Sequence, residues 1–169
     1  DARINMIYEG TNGIQSLDLL ARKVLGNQGA SLKKFGGLIE SLVQAEMHNA
    51  AMQEFIQPLV DIGQKVTQLT TELGMKAMRN ADEVGAASVD YLRVTGHMVF
   101  AYFWARMAQT SLAALAQAEV TGQRPDPFYT AKLQTARFYF ARLLPETAGL
   151  IRSARAGSDV LMDTEAALA

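Results

Sequence analysis

The sequence predicts an all-α protein: an up-down four-helix bundle preceded by one further helix. Three observations carry this. Alternating Val/Ile/Thr stretches of strand type are nearly absent, whereas Ala, Leu, Met, Gln and Glu are abundant. Apolar residues recur at steps of three and four through most of the 169 residues. The punctuation between those stretches is short and rich in Gly, Pro, Asn and Asp.

The first helix is expected over 13–25, with Asn12 as N-cap, Gln15 as its capping-box partner and Leu17, Leu20 and Val24 as the apolar stripe. Arg22 and Lys23 suit its last turn and Gly26 its C-cap. The stretch GNQGAS then breaks the chain. A second helix is expected over 31–54 with Leu38, Leu42, Ala45 and Met52 inward, ended or bent by Pro58. A third spans 58–80, where Leu59, Ile62, Val66, Leu69 and Leu73 form a seam of bundle type. The fourth, 84–121, is apolar on more than one side through Tyr91, Met98, Tyr102, Phe103, Trp104 and Leu112, which predicts a central position. In TGQRPDP, Gly122 suits a helix end, Asp126 an N-cap and Pro127 the first helical position. The fifth runs over 127–156 with Leu133, Ala136, Phe140, Leu143, Leu144 and Ile151 inward, and Pro145 should kink or split it. The tail GSDVLMDTEAALA has a weaker pattern. Helices two to five make the bundle, 31–156, and leave the first helix to another packing unit.

Composition excludes several function classes. The chain is 49% hydrophobic and 20% charged, enough to bury a core, and its net charge of −1 leaves no electrostatic footprint for nucleic acid or an anionic membrane. Without cysteine there is no disulfide framework, thiol nucleophile or cysteine-ligated zinc site. The longest apolar run, HMVFAYFWARMA, is interrupted by Arg106 and too short to span a bilayer. No signal-peptide pattern appears at the start, and the lack of cysteine is compatible with a reducing cytoplasm, where the protein is expected. Its start at Asp1, directly in a patterned segment, reads as a piece of a longer protein.

Most candidate chemistry is bland. His48 and His97 lie in helical pattern without a second His or an acid at metal-ligand spacing, so no metal site is expected. The aromatic group Tyr91, Phe100, Tyr102, Phe103 and Trp104 reads as core. Arg137, Arg142, Arg152 and Arg155 read as a solvated helix face with interspersed acids, although such a set also suits an anion. The stretch IYEGTNGIQ differs. A loop acid is ordinarily just solvated, but Ile4, Ile7 and Tyr8 put apolar bulk around Glu9, which would desolvate its carboxylate and raise its pKa towards that of a general base. Gly10 permits close approach, and Thr11, Asn12 and Gly13 offer hydroxyl, amide and backbone N–H groups at a helix N-terminus, where an electron-rich group is welcome.

The stretch RINMIYEGTNGIQSLDLLARK closely resembles the C-terminal signature of acyl-CoA dehydrogenases, approximately R-I-x-x-I-Y-E-G-T-x-x-I-Q. It matches through Arg3, Ile4, Ile7, Tyr8, Glu9, Gly10, Thr11, Ile14 and Gln15. The remainder, with DYLRVTGHMVFAYFWARMA and RPDPFYTAKLQTARFYFARLLPE, is similar to the extra helical domain of a larger-subunit branch of that family, which includes bacterial enzymes for short- or medium-chain and methylthio-propanoyl thioesters. The resemblance implies that 1–29 is the end of the catalytic helical domain and 30–169 an additional helical bundle. It implies Glu9 as the base that removes the α-proton of the thioester while a β-hydride passes to the flavin N5. Tyr8 and Gly10 would touch substrate, and Thr11, Asn12, Gly13 and Gln15 would hold FAD. It further implies an acyl-CoA substrate, electron-transfer flavoprotein as acceptor and a homo-oligomer, a dimer above all. The other domains of such an enzyme carry most FAD and CoA contacts, so the chain alone is expected to bind no FAD tightly and to be inactive. The alternative is a non-catalytic helical module for oligomerisation or interaction.

Overall fold

The computed structural model describes Arg3 and residues 11–162. The all-α expectation holds: the described residues form a bundle of helices and contain no strand. In chain order these are α1 (Asn12–Leu17), a π-helical segment (Asp18–Leu25), α2 (Ala30–Glu46), a 3-10 turn (Ala50–Met52), α3 (Gln53–Ala77) and α4 (Asp82–Thr121). There follow α5 (Pro127–Phe138), a second π-helical segment (Tyr139–Leu143), a 3-10 turn (Leu144–Glu146), α6 (Thr147–Ala154) and α7 (Asp159–Met162). They divide into two compact units, Asp1–Lys33 with Thr67–Thr95 and Ala148–Ala169, and Lys34–Val66 with Gly96–Thr147.

Local chemistry sets the breaks. The second predicted helix stops at Glu46 rather than 54, because Asn49 turns extended (φ −89°, ψ 100°) and its side chain accepts from Ala51 N. Gln53 Nε2 then closes the helix end on the carbonyls of Glu46, Met47 and Asn49 at 3.1, 3.3 and 3.2 Å. Pro58 therefore breaks nothing. It sits inside α3, which gives up one helix hydrogen bond to hold it. By contrast Asp126 caps α5 as expected, its Oδ1 accepting from Phe128 N at 2.8 Å with Pro127 behind it. Gly122 ends α4 with φ +66°, a conformation that favours glycine. The fifth predicted helix is split around Pro145, through the second π-helical segment and the 3-10 turn.

The α3 seam is buried throughout: Leu59, Ile62, Val66, Leu69 and Leu73 are at most 1% exposed. In the unit built on 34–66 and 96–147, the core is made by Ile39, Leu42, Phe55, Ile56, Met98, Ala101, Ala105, Ala108, Leu133 and Phe140. Rings of Phe55 and Phe140 meet edge to face at 5.4 Å. Two expected α2 positions are corrected: Leu38 and Ala45 are exposed, and Ile39 and Glu46 face inward instead, beside Leu42, which is buried as expected. The aromatic group is corrected as well. Tyr91 and Tyr102 are buried, but Phe100 and Phe103 are more than half exposed. The inward face of α4 uses alanines, which let neighbouring helices approach closely and push the larger rings aside. Leu143 is also exposed.

In the other unit, α3 and α4 run antiparallel: Thr70 and Tyr91 share a 2.7 Å hydrogen bond, and Lys76 meets Glu83 nearer the turn. Sequence reading leaves the first helix outside the bundle. In the structure it packs inside this unit, with Ser16, Leu20 and Val24 buried at i, i+4 and i+8. Leu25 Cδ2 closes on α3 at Gly74, where an added Cβ would lie 3.4 Å away.

Candidate functional site

Arg3 is described and exposed. Ile4, Ile7, Tyr8, Glu9 and Gly10 lie outside the described residues. The second half of the motif is described and forms the start of α1. Thr11, not Asn12, is the N-cap, at φ −103° and ψ −7°, and its side chain makes no capping bond. Asn12 is already helical, so the expected capping box with Gln15 does not form; Gln15 N donates to Thr11 O at 2.8 Å as a helix bond. The reason is that Thr11 itself has near-helical dihedrals, which extends the helix by one residue.

Thr11, Asn12, Gly13 and Gln15 are all exposed, and a Cβ on Gly13 would meet nothing within 4 Å. The chain thus carries a hydroxyl, two side-chain amides and the first turn of a helix on exposed residues, a donor set suited to a phosphate-bearing cofactor. One residue on, the orientation reverses. Ser16 is fully buried; its Oγ lies 2.8 Å from Gly13 O and 3.2 Å from Ser88 Oγ, and Ser88 Oγ reaches Gly85 O at 3.0 Å. Sequence reading gave neither serine a role, because Ser16 falls just past Gln15, the last matched position of the signature, and Ser88 lies in no motif. The available signal was a small polar residue in phase with Leu20 and Val24. Below them Asp18 pairs with Arg22 and Lys23, and hydrogen bonds from Arg22 first and Lys23 second hold its carboxyl below the usual range. A groove beside this segment is lined by Leu17, Ala21, Asp82, Val84, Gly85 and Ser158.

The other candidates have structural occupations. His48 is exposed. His97 Nδ1 lies 3.0 Å from Tyr139 Oη, with Nε2 3.7 Å from Glu146. Arg137 and Arg155 each hold a glutamate, Glu54 and Glu72. Arg142 and Arg152 are exposed. Glu46 is buried, and its two oxygens are taken by Asn49 Nδ2 and Gln109 Nε2. Among the described residues no three His, Asp or Glu side chains gather where they could hold a metal ion, and no helix is long and apolar enough to cross a membrane.

A family model described as Acetyl-CoA dehydrogenase C-terminal like matches residues 35–165. The chain is 30% identical over 152 residues to a broad-specificity linear acyl-CoA dehydrogenase of Mycobacterium tuberculosis, covering 86% of this chain and 24% of that protein. It is 33% identical over 149 residues to a 3-methylmercaptopropionyl-CoA dehydrogenase of Ruegeria pomeroyi, covering 86% and 24%. A butyryl-CoA dehydrogenase of Syntrophomonas wolfei is 26% identical over 164 residues, covering 96% and 26%. The chain thus spans about a quarter of the length of these curated relatives.

Proposed function

The chain belongs to the acyl-CoA dehydrogenase family, as part of its C-terminal helical region, and from that we propose that the protein containing it is an FAD-dependent enzyme that introduces an α,β double bond into an acyl-CoA thioester. The observation that carries this reading is the nine-position motif from Arg3 to Gln15, whose described half is turned outward at a helix start. The relatives are named for different acyl groups and share the CoA thioester, so the proposal stops at that class.

Glu9 takes the α-proton. A carboxylate suits the step, since it accepts one proton and has no nucleophilic duty, and Ile4, Ile7 and Tyr8 put apolar residues beside it in sequence, as a general base would need. Its backbone N–H polarises the thioester carbonyl, which makes the α-proton more acidic. Tyr8 and Gly10 line the substrate, Gly10 by leaving room. Thr11, Asn12, Gly13 and Gln15 hold the cofactor with the exposed donors described above. FAD, when bound, supplies the acceptor for the β-hydride.

Residues 1–29 belong on this reading to the catalytic helical domain and 30–169 to an added bundle. The enzyme is a cytoplasmic homo-oligomer, a dimer above all, that passes its electrons to electron-transfer flavoprotein. Residues 1–169 alone are inactive and bind no FAD tightly, since the resemblance assigns most FAD and CoA contacts to the other domains of such an enzyme. The test is Glu9→Gln in the full-length protein, mixed anaerobically with an acyl-CoA. The expected result is bound FAD that keeps its colour. Bleaching at the parental rate removes Glu9 from its role.

A further inference from the structure

We infer that Ser16 and Ser88 are positioning residues: the helical bundle holds the catalytic motif in place through their hydroxyls. The inference rests on the reading of Glu9 to Gln15 as the active-site segment. The geometry is a continuous polar path. It starts at the carbonyl of Gly13, one of the cofactor-contacting positions, and passes to Ser16 Oγ at 2.8 Å and Ser88 Oγ at 3.2 Å. It ends on the carbonyl of Gly85 at 3.0 Å. Ser16 is 0% and Ser88 4% exposed, so water does not substitute for either hydroxyl. Ser88 donates to Gly85 O, and the single Ser16 proton goes either to Gly13 O or to Ser88 Oγ, so the two hydroxyls are coupled through one shared proton.

Two features support a positioning role beyond filling space. First, the helical rod is two-faced: Thr11 to Gln15 are exposed and Ser16, Leu20 and Val24 are buried, so rotation of the rod would turn the motif away from its outward face. Second, Leu25 approaches Gly74 at the far end of the rod, and Ser16 is buried at the end next to the motif. A serine here is short enough to bring α1 close to α4, while its hydroxyl sets the register, which Leu20 and Val24 alone leave to slide. The added bundle is therefore part of the catalytic apparatus, and Ser88 acts on the chemistry through Ser16.

The experiment is a double-mutant cycle in the full-length protein with Ser16→Ala, Ser88→Ala and both together, read by FAD affinity from flavin fluorescence and by flavin reduction at saturating acyl-CoA. Each single change is expected to slow reduction about tenfold, the scale of a sub-ångström misplacement of reacting groups. Each should also weaken FAD binding several-fold. The double variant should lose no more than either single one, because both remove the same path. Ser41→Ala removes a comparable but exposed bond, Ser41 Oγ to Gly37 O at 2.8 Å, and should change neither reading. FAD affinity and reduction rate within twofold of the parent in both single variants overturn the proposal. So do losses that simply multiply in the double variant. Glu9→Gln, which should abolish reduction without weakening FAD binding, separates the two readings: if it still reduces flavin the base assignment falls, and the serine path is then judged on FAD affinity.

Discussion

Tyr139 Oη donates to the carbonyl of His97 at 3.0 Å, and the same oxygen lies 3.0 Å from Nδ1 of that histidine. The single phenolic proton serves one acceptor at a time, so with it on the carbonyl the Nδ1 contact is a hydrogen bond in the tautomer that carries N–H on Nδ1. Tyr139 belongs to a π-helical segment, with Trp104 stacked on it at 6.2 Å and Phe100 edge-on at 6.5 Å. Burial pushes the Tyr139 hydroxyl well above the usual phenol range. Tyr139→Phe is expected to cost about 1–3 kcal/mol in urea unfolding, because it leaves the part-buried His97 carbonyl and Nδ1 without their partner. A variant as stable as the parent would show that the pair contributes nothing.

Burial, more than hydrophobicity, decides which leucines matter. Leu69 is fully buried in the α3 seam, and Leu38 is 51% exposed although the sequence reading places it inside. Leu69→Ala should cost about 2–5 kcal/mol and Leu38→Ala about 0.5 kcal/mol or less, measured by the same unfolding experiment. Comparable losses at both positions would contradict the assigned face of α2.

That contrast marks where the sequence is legible. The α3 seam has large side chains at every inward position and reads without ambiguity. In α4 the inward set includes Ala87, Ala101, Ala105 and Ala108, whose weak signal is drowned by Phe100 and Phe103 on the exposed side. In α2 the helix end is set by Gln53 reaching back over several residues, a contact that no local propensity reports. Turn chemistry was readable at Asp126 and Pro127, where one side chain serves the adjacent backbone. The motif announced the residue types from Tyr8 to Gln15. It said nothing of Ser16 and Ser88, which lie 72 residues apart and meet only in the fold.

Gly26 ends the first π-helical segment, and its reason is steric. A Cβ at this position would lie 2.7 Å from Arg22 O and 3.1 Å from Ala21 O, both backbone atoms. The φ of −64° is ordinary, so the constraint is space and not a left-handed conformation. Gly26→Ala should cost about 1–3 kcal/mol by forcing the backbone apart. In the full-length protein it should also lower the yield of bound FAD, since it disturbs the rod that carries the motif. Unfolding midpoints and flavin content measure the two effects, and an unchanged midpoint would show that the turn relaxes freely.

Acid should loosen the α3–α4 turn through Glu83. Its Oε1 accepts from Ser158 N at 3.0 Å and Ser158 Oγ at 2.9 Å, and Lys76 Nζ stands 3.4 Å from Oε2. Lys76 also donates to Arg155 O at 2.9 Å, tying the end of α6 to the same carboxylate. The Ser158 backbone bond first, then its hydroxyl, hold the Glu83 pKa below the ordinary glutamate value of 4.5, against a smaller opposing effect of burial. The hydrogen bond from Arg155 lowers Glu72 in the same way. A depressed folded pKa contributes stability that is complete above the unfolded value and disappears as the pH falls through the folded one. Unfolding free energy should therefore hold from neutrality to about pH 5 and decline below it. Glu83→Gln should be less stable at pH 7 and show a flatter decline in acid, because its side chain has no proton to take up. Parallel acid limbs for parent and variant would place the acid sensitivity elsewhere.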